Sequence, residues 1–141
     1  MLKARKTVML LLLAVFLFAP AASAQSVVLV ASPDVPVDSI SASDLKNIFL
    51  GKKTSWDNGG KITFFTNGGA AHDAFLKDYV GKSPSQFSTF WKKQVFTGKG
   101  KMPDTAGSDQ DMVTMVAGTG GAIGYVSAGA DINGLKAIAV K

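Results

Sequence analysis

One histidine, no cysteine and ten acids that are all aspartate leave this 141-residue chain few ways to do chemistry. A zinc site would have to gather at least two aspartates from scattered positions around His72, without any thiolate. Gly81-Lys82-Ser83 looks like the end of a phosphate-binding P-loop, but the first glycine of that motif would fall at Leu76, inside an expected helix. The glycines between Gly118 and Gly124 match a dinucleotide fingerprint only loosely, and they precede a strand rather than open a helix. No Gly-x-Ser-x-Gly elbow occurs, and no Ser-His-Asp triad can be assembled. An enzyme is therefore not expected. What remains is the turn Asn67-Gly68-Gly69 and the helix start that carries His72. Glycines ending a strand, followed by the backbone N–H groups that open a helix, form a receptor for a small anion. The competing reading is a junction that binds nothing. His72 is expected to be solvated or anion-facing rather than a metal ligand or general base.

That turn needs a strand before it and a helix after it. Residues 62–66 are β-branched and aromatic, as a short strand requires. Phe75, Leu76, Tyr79 and Val80 recur at spacings of three and four, and Gly81 follows where a left-handed cap is wanted. Elsewhere, residues 26–31 read as a buried strand, and Ser41 as the N-cap of a helix buried through Leu45, Ile48 and Phe49. Residues 52–60 form a polar loop whose Trp56 is expected to anchor back onto the core. Ser83-Pro84 opens a helix with Phe87, Phe90, Trp91 and Val95 as its stripe. Residues 97–107 should be an exposed, mobile loop, and Ser108 the cap of a last helix with Met112, Val113, Met115 and Val116 as its apolar positions. Strands at 122–127 and 135–140 close the chain. The alternation of strands and helices predicts an α/β layered domain.

Lys3, Arg5 and Lys6, the apolar run at residues 8–18 and the small residues Ala22-Ser23-Ala24 have the pattern of a signal peptide over residues 1–24. Residues 25–141 then form a single domain without a stable membrane anchor. Of the 15 basic residues the leader takes three, leaving 12 lysines against 10 aspartates and a net charge of +2. Arg5, the single arginine, is among those removed, so the guanidinium fork that suits bases and phosphates is missing and nucleic acid is not an expected partner.

The segment Asp44-Leu45-Lys46-Asn47-Ile48-Phe49-Leu50-Gly51-Lys52 with Trp56 resembles the "IFLGK…W" stretch of periplasmic phosphate-binding proteins of ABC importers. Residues 64–75 fall at that family's anion-binding turn and helix, and Gly121-Ala122-Ile123-Gly124-Tyr125-Val126 is similar to its "GAIGYV" strand. The resemblance covers nearly the whole mature chain and implies a single lobe of the type 2 periplasmic-binding-protein fold, a mixed sheet flanked by helices. It implies a periplasmic location, phosphate or a similar oxyanion as ligand, no cofactor and no metal, and a link to phosphate uptake. The implied ligand-binding residues are Thr66, Asn67, Gly68, Gly69, Ala70, Ala71 and His72, offering backbone N–H groups, the Thr66 hydroxyl, the Asn67 amide and a charge on His72, with help from Lys99 or Lys101. The family's arginine and Ser-Gly-Thr turn are absent, as is its second lobe, so binding is expected to be weak unless a homodimer or an envelope partner closes the site. The alternative expectation is an accessory, protein-interaction module that has lost solute binding and presents Trp56, Tyr125 or Phe96 as its contact.

Overall fold

Five consecutive apolar residues, Val27–Ala31, form strand β1, and their unbroken apolarity fits a strand covered on both faces. The computed structural model describes residues 27–141, so the expected signal peptide at residues 1–24 lies outside the described residues. Around β1 lie β2 (Ser39–Ile40), β3 (Thr63–Phe64), β6 (Ala122–Ser127) and β7 (Lys136–Val140), in the spatial order β2-β7-β1-β6-β3. β1 runs antiparallel to β6 and β7, whereas β2 runs parallel to β7 and β3 parallel to β6. The sheet is thus mixed. Strand alternation divides the side chains between two cores. Leu29, Ala31, Ile123, Tyr125 and Ile138 face one, and Val30, Ala122 and Val126 face the other.

The first core is covered by three helical segments. These are α1 (Ala42–Phe49), α2 (Ala71–Phe75) with a π-helical continuation at Leu76–Val80, and α3 (Pro84–Phe96). Leu45, Ile48, Phe49, Phe75, Leu76, Val80, Phe87 and Trp91 are their buried positions. The second core lies under α4 (Asp109–Ala117), which buries Met112 and Val116. Helix ends follow the cap residues. The Ser41 hydroxyl accepts the Asp44 N–H at 3.0 Å, Ser83 and Gln86 form a reciprocal capping box with Pro84 next in the chain, and Ser108 accepts the Asp111 N–H at 3.1 Å. Gly81 takes φ of +73° and closes the π-helical turn by donating to the Leu76 carbonyl at 2.7 Å.

Three expectations are corrected. The strand expected at residues 62–66 is two strands in two sheets: β3 pairs with β6, while Thr66–Asn67 (β4) pairs in parallel with Thr105–Ala106 (β5). The break falls at Phe65, which turns into the second core while its N–H bonds the Ile123 carbonyl at 3.1 Å. β5 lies within the stretch expected to be a mobile loop; Asp104 just before it and Ala106 within it supply the carbonyls that the Thr66 and Gly68 N–H groups need once the chain leaves β6. The apolar stripe of α3 also stops short. Val95 is exposed because the last turn projects beyond the packed layer. Trp56 is buried as expected, and its indole N–H donates to the Gly121 carbonyl at 3.0 Å.

Candidate functional site

The seven expected site residues come together as one continuous turn leading from β4 into α2. Gly68, Gly69 and Ala70 are exposed, while Thr66, Asn67 and Ala71 are buried. Burial changes what Asn67 can do. Its Nδ2 donates to Asp109 Oδ1 at 2.8 Å and to the Tyr125 carbonyl at 3.0 Å, its Oδ1 accepts the Gly69 N–H at 2.8 Å, and its own N–H donates to the Tyr125 hydroxyl at 3.0 Å. The amide expected to face an anion is instead fully engaged and fully buried, and it ties the turn to β6 and to the first residue of α4. Asp109 is held in turn by the Ser127 N–H at 3.2 Å.

The N–H groups of the turn sort in the same way. Gly68 donates to the Ala106 carbonyl at 2.7 Å, Gly69 to Asn67, and His72 to the Gly69 carbonyl at 3.2 Å. The N–H groups of Ala70 and Ala71 have no acceptor among the described residues. The Thr66 hydroxyl lies 2.8 Å from that of Thr105 and makes a longer bond, 3.5 Å, to the Asp104 carbonyl.

His72 is half-buried and bonds through Nδ1 to the Tyr125 hydroxyl. That hydroxyl is buried and accepts the Asn67 N–H, and Nδ1 is the one acceptor in contact with it among the described residues, so its proton is assigned to Nδ1 and the ring hydrogen to Nε2. Burial pushes the Tyr125 phenol up, partly opposed by its bond from the Asn67 backbone, so the hydroxyl keeps its proton. Burial also holds the His72 imidazole below its ordinary value, with Asp73 pulling weakly the other way. The charge expected on His72 is accordingly absent at neutral pH. It presents a neutral N–H donor.

Beside the turn, a cavity of about 140 Å³ is bounded by Thr66, Thr105, His72 and Ser88 on its polar side and by Phe87 and Trp91 on its apolar side. It lies well below the roughly 300–1,000 Å³ of sites for drug-sized molecules, and its scale is that of a small ion. Met102 and Pro103 also line it, but Lys99 and Lys101 of the same segment do not. Tyr125, Asp109 and Thr105 organise this site without having been singled out for it. The parity of β6 in the sequence places Tyr125 on the same side as Ile123, but nothing in the sequence pairs it with Asn67, 58 positions away. Tyr125 and Trp56 are both buried, so of the three residues expected to form a protein contact only Phe96 is exposed. No helix of the described residues is long and apolar enough to cross a membrane, and no group of three or more His, Cys, Asp or Glu side chains that could hold a metal occurs among them.

Solved structures with this fold are found among proteins of phosphate transport. PstS from Borrelia burgdorferi superposes with a TM-score of 0.63 at 15% identity, over 82% of this chain and 47% of its own. A protein described as a phosphate ABC transporter substrate-binding protein from Clostridium perfringens, solved with bound phosphate, gives 0.63 at 21% identity, over 82% and 44%. An ABC-type phosphate transport receptor from Vibrio cholerae gives 0.55 at 20%, over 82% and 46%. The chain thus spans less than half the length of each. No curated protein sequence matches it. At these identities the likeness establishes the layered α/β fold, a mixed sheet between helices. The family model for the PBP superfamily domain matches residues 23–140, and the chain, with the fold of one lobe of a type 2 periplasmic-binding protein, belongs to that family.

Proposed function

We propose that this chain is an exported oxyanion-binding module, with phosphate as its best-fitting ligand, and that it works as a binding protein rather than an enzyme. The observation that carries the reading is the junction of turn and helix. The N–H groups of Ala70 and Ala71, without an acceptor among the described residues, immediately precede the neutral His72, which with Thr66 lines a cavity of ionic size. Those donors suit a tetrahedral oxyanion, which accepts several hydrogen bonds at once. The phosphate bound by the Clostridium perfringens protein of the same fold supports the choice of ion. In this reading Thr66, Asn67, Gly68 and Gly69 shape the turn, and Ala70, Ala71 and His72 face the ligand. Lys99 and Lys101 add positive potential without touching it.

Three neutral donors and no guanidinium leave the anion largely hydrated, so the proposed affinity is weak. A second copy of the chain or an envelope partner set against the turn would complete the ligand shell, and a part in phosphate uptake would run through such a complex. The proposed location is the periplasm, reached after removal of residues 1–24, with residues 25–141 as the mature domain; the basic, apolar and small-residue pattern of the leader supports this.

The test is an amide chemical-shift titration with phosphate, repeated with sulfate as competitor. Perturbations centred on Ala70, Ala71 and His72 at millimolar phosphate are expected. They should vanish in Gly69→Leu, whose side chain would crowd the exposed turn, since its Cβ alone would meet Asn67 Oδ1 at 3.1 Å. An absence of shifts at the turn with either ion would overturn the reading and leave a fold that has outlived its ligand.

A further inference from the structure

Away from the turn, the last part of α3 and the segment after it combine two features that globular surfaces normally keep apart. Phe96 is 92% exposed, with Val95 and Met102 each 42% exposed. Around them stand Lys92, Lys93, Lys99 and Lys101, all exposed and none in an ion pair among the described residues. Lys92, Val95 and Phe96 share a helix face through their spacing of three and four. The following segment is drawn back against the helix, because the Lys99 N–H donates to the Gln94 carbonyl at 2.8 Å and Gly100 lies against the Trp91 ring, where even a Cβ would come within 3.0 Å. Trp91 itself is fixed by its indole bond to the Phe49 carbonyl at 3.1 Å. The projection is therefore part of the packed domain.

Charge is polarised to match. Residues 79–103 hold Lys82, Lys92, Lys93, Lys99 and Lys101 and no acid, whereas the remaining described residues hold the other seven lysines and all ten aspartates. Lys82 stands at the opposite end of α3, so the tip itself carries +4 and an exposed phenylalanine, and it projects from a body whose other eight lysines and ten aspartates leave a net −2.

We propose that this tip docks on an anionic lipid surface, with Phe96 entering the headgroup region and Lys92, Lys93, Lys99 and Lys101 on the acidic headgroups. Two features favour lipid over an acidic protein. Protein interfaces are depleted in lysine and enriched in arginine, and among the described residues arginine is absent. Lysine beside a protruding aromatic residue is, by contrast, the composition of segments that lie in a bilayer interface, where flexible stems let the ammonium groups reach the headgroups. The opposite sign of the body sets the orientation, since the acidic remainder is repelled from the surface that attracts the tip. The surface is separate from the anion site and stands whether or not phosphate binds.

The full chain, processed by its host and purified, is mixed with vesicles made of equal parts phosphatidylcholine and phosphatidylglycerol, and with pure phosphatidylcholine vesicles, and co-sedimentation is measured. Binding to the mixed vesicles alone is expected, falling steeply as salt is raised. Each of Lys99→Gln and Lys101→Gln should weaken it roughly fivefold, and Phe96→Ser should weaken it further with the helical circular dichroism unchanged, because that side chain packs on nothing. No binding to the mixed vesicles, or binding unaffected by Phe96→Ser and Lys99→Gln, would overturn the proposal. Retention on an acidic polypeptide such as polyglutamate, without vesicle binding, would overturn it in favour of an acidic protein.

Discussion

Replacing Asn67 by alanine separates two roles for this residue, direct ligand of an anion or internal tie of the turn. In the structure the side chain makes three hydrogen bonds, to the Asp109 carboxylate, to the Tyr125 carbonyl and from the Gly69 N–H, and it is completely buried. Two of these join neutral groups and contribute about 1 kcal/mol each, while the bond to the carboxylate contributes about 1.5–3 kcal/mol. Asp109 retains the Ser127 N–H and the exposed Gly69 N–H can turn to water, so a net loss of about 3 kcal/mol is expected. With a urea m-value of about 1.5 kcal/mol/M, the unfolding midpoint should fall by about 2 M at unchanged slope. Urea titration followed by fluorescence of the buried Trp56 and Trp91 is the assay. A fall of less than about 0.5 M would refute the tie, because an asparagine held by water or free ligand loses little on truncation. Asn67→Asp adds a check of sign. Its carboxylate would stand 2.8 Å from Asp109 Oδ1, so the folded state raises the pair's proton affinity, and the variant should regain stability as pH falls through the acid range.

Two further outcomes follow from the packing. The His72 imidazole is held below its ordinary value by burial, so below about pH 6.5 the unfolded chain takes up protons more readily than the folded one; stability should fall as pH drops through that range and level off above it, and His72→Gln should flatten the profile measured by thermal unfolding. Gly121→Ala should cost at least about 3 kcal/mol in chemical denaturation, because φ is +71° and the new Cβ would lie 2.3 Å from the Lys61 carbonyl oxygen, whereas Gly59→Ala, at φ +86° with open space around it, should cost about 1 kcal/mol; equal losses would show that the close approach does not matter.

The sequence by itself determined whatever depends on neighbours along the chain. Ser41, Ser83 and Ser108 cap their helices because each hydroxyl reaches an N–H three residues on, and Gly81 ends a helix because only glycine takes its left-handed conformation without strain. The parity of β1 and β6 and the apolar faces of α1 and α2 are equally local, and the resemblance of residues 44–56, 64–75 and 121–126 to phosphate-binding proteins was legible from their order. The layered fold followed from these. Tertiary structure decided which polar groups of the turn are left for a ligand. Thr66 and Asn67 look the same in the sequence whether they face water or the interior, and only the arrival of Thr105, Asp109 and Tyr125 from 39, 42 and 58 positions away engages them. Packing likewise keeps His72 neutral by burial and encloses Tyr125, and the pairing of β3 with β6 and β4 with β5 divides residues 62–66 between two sheets. A hydrogen bond between distant segments is set by how the layers stack, and no residue type or spacing encodes that stacking pair by pair.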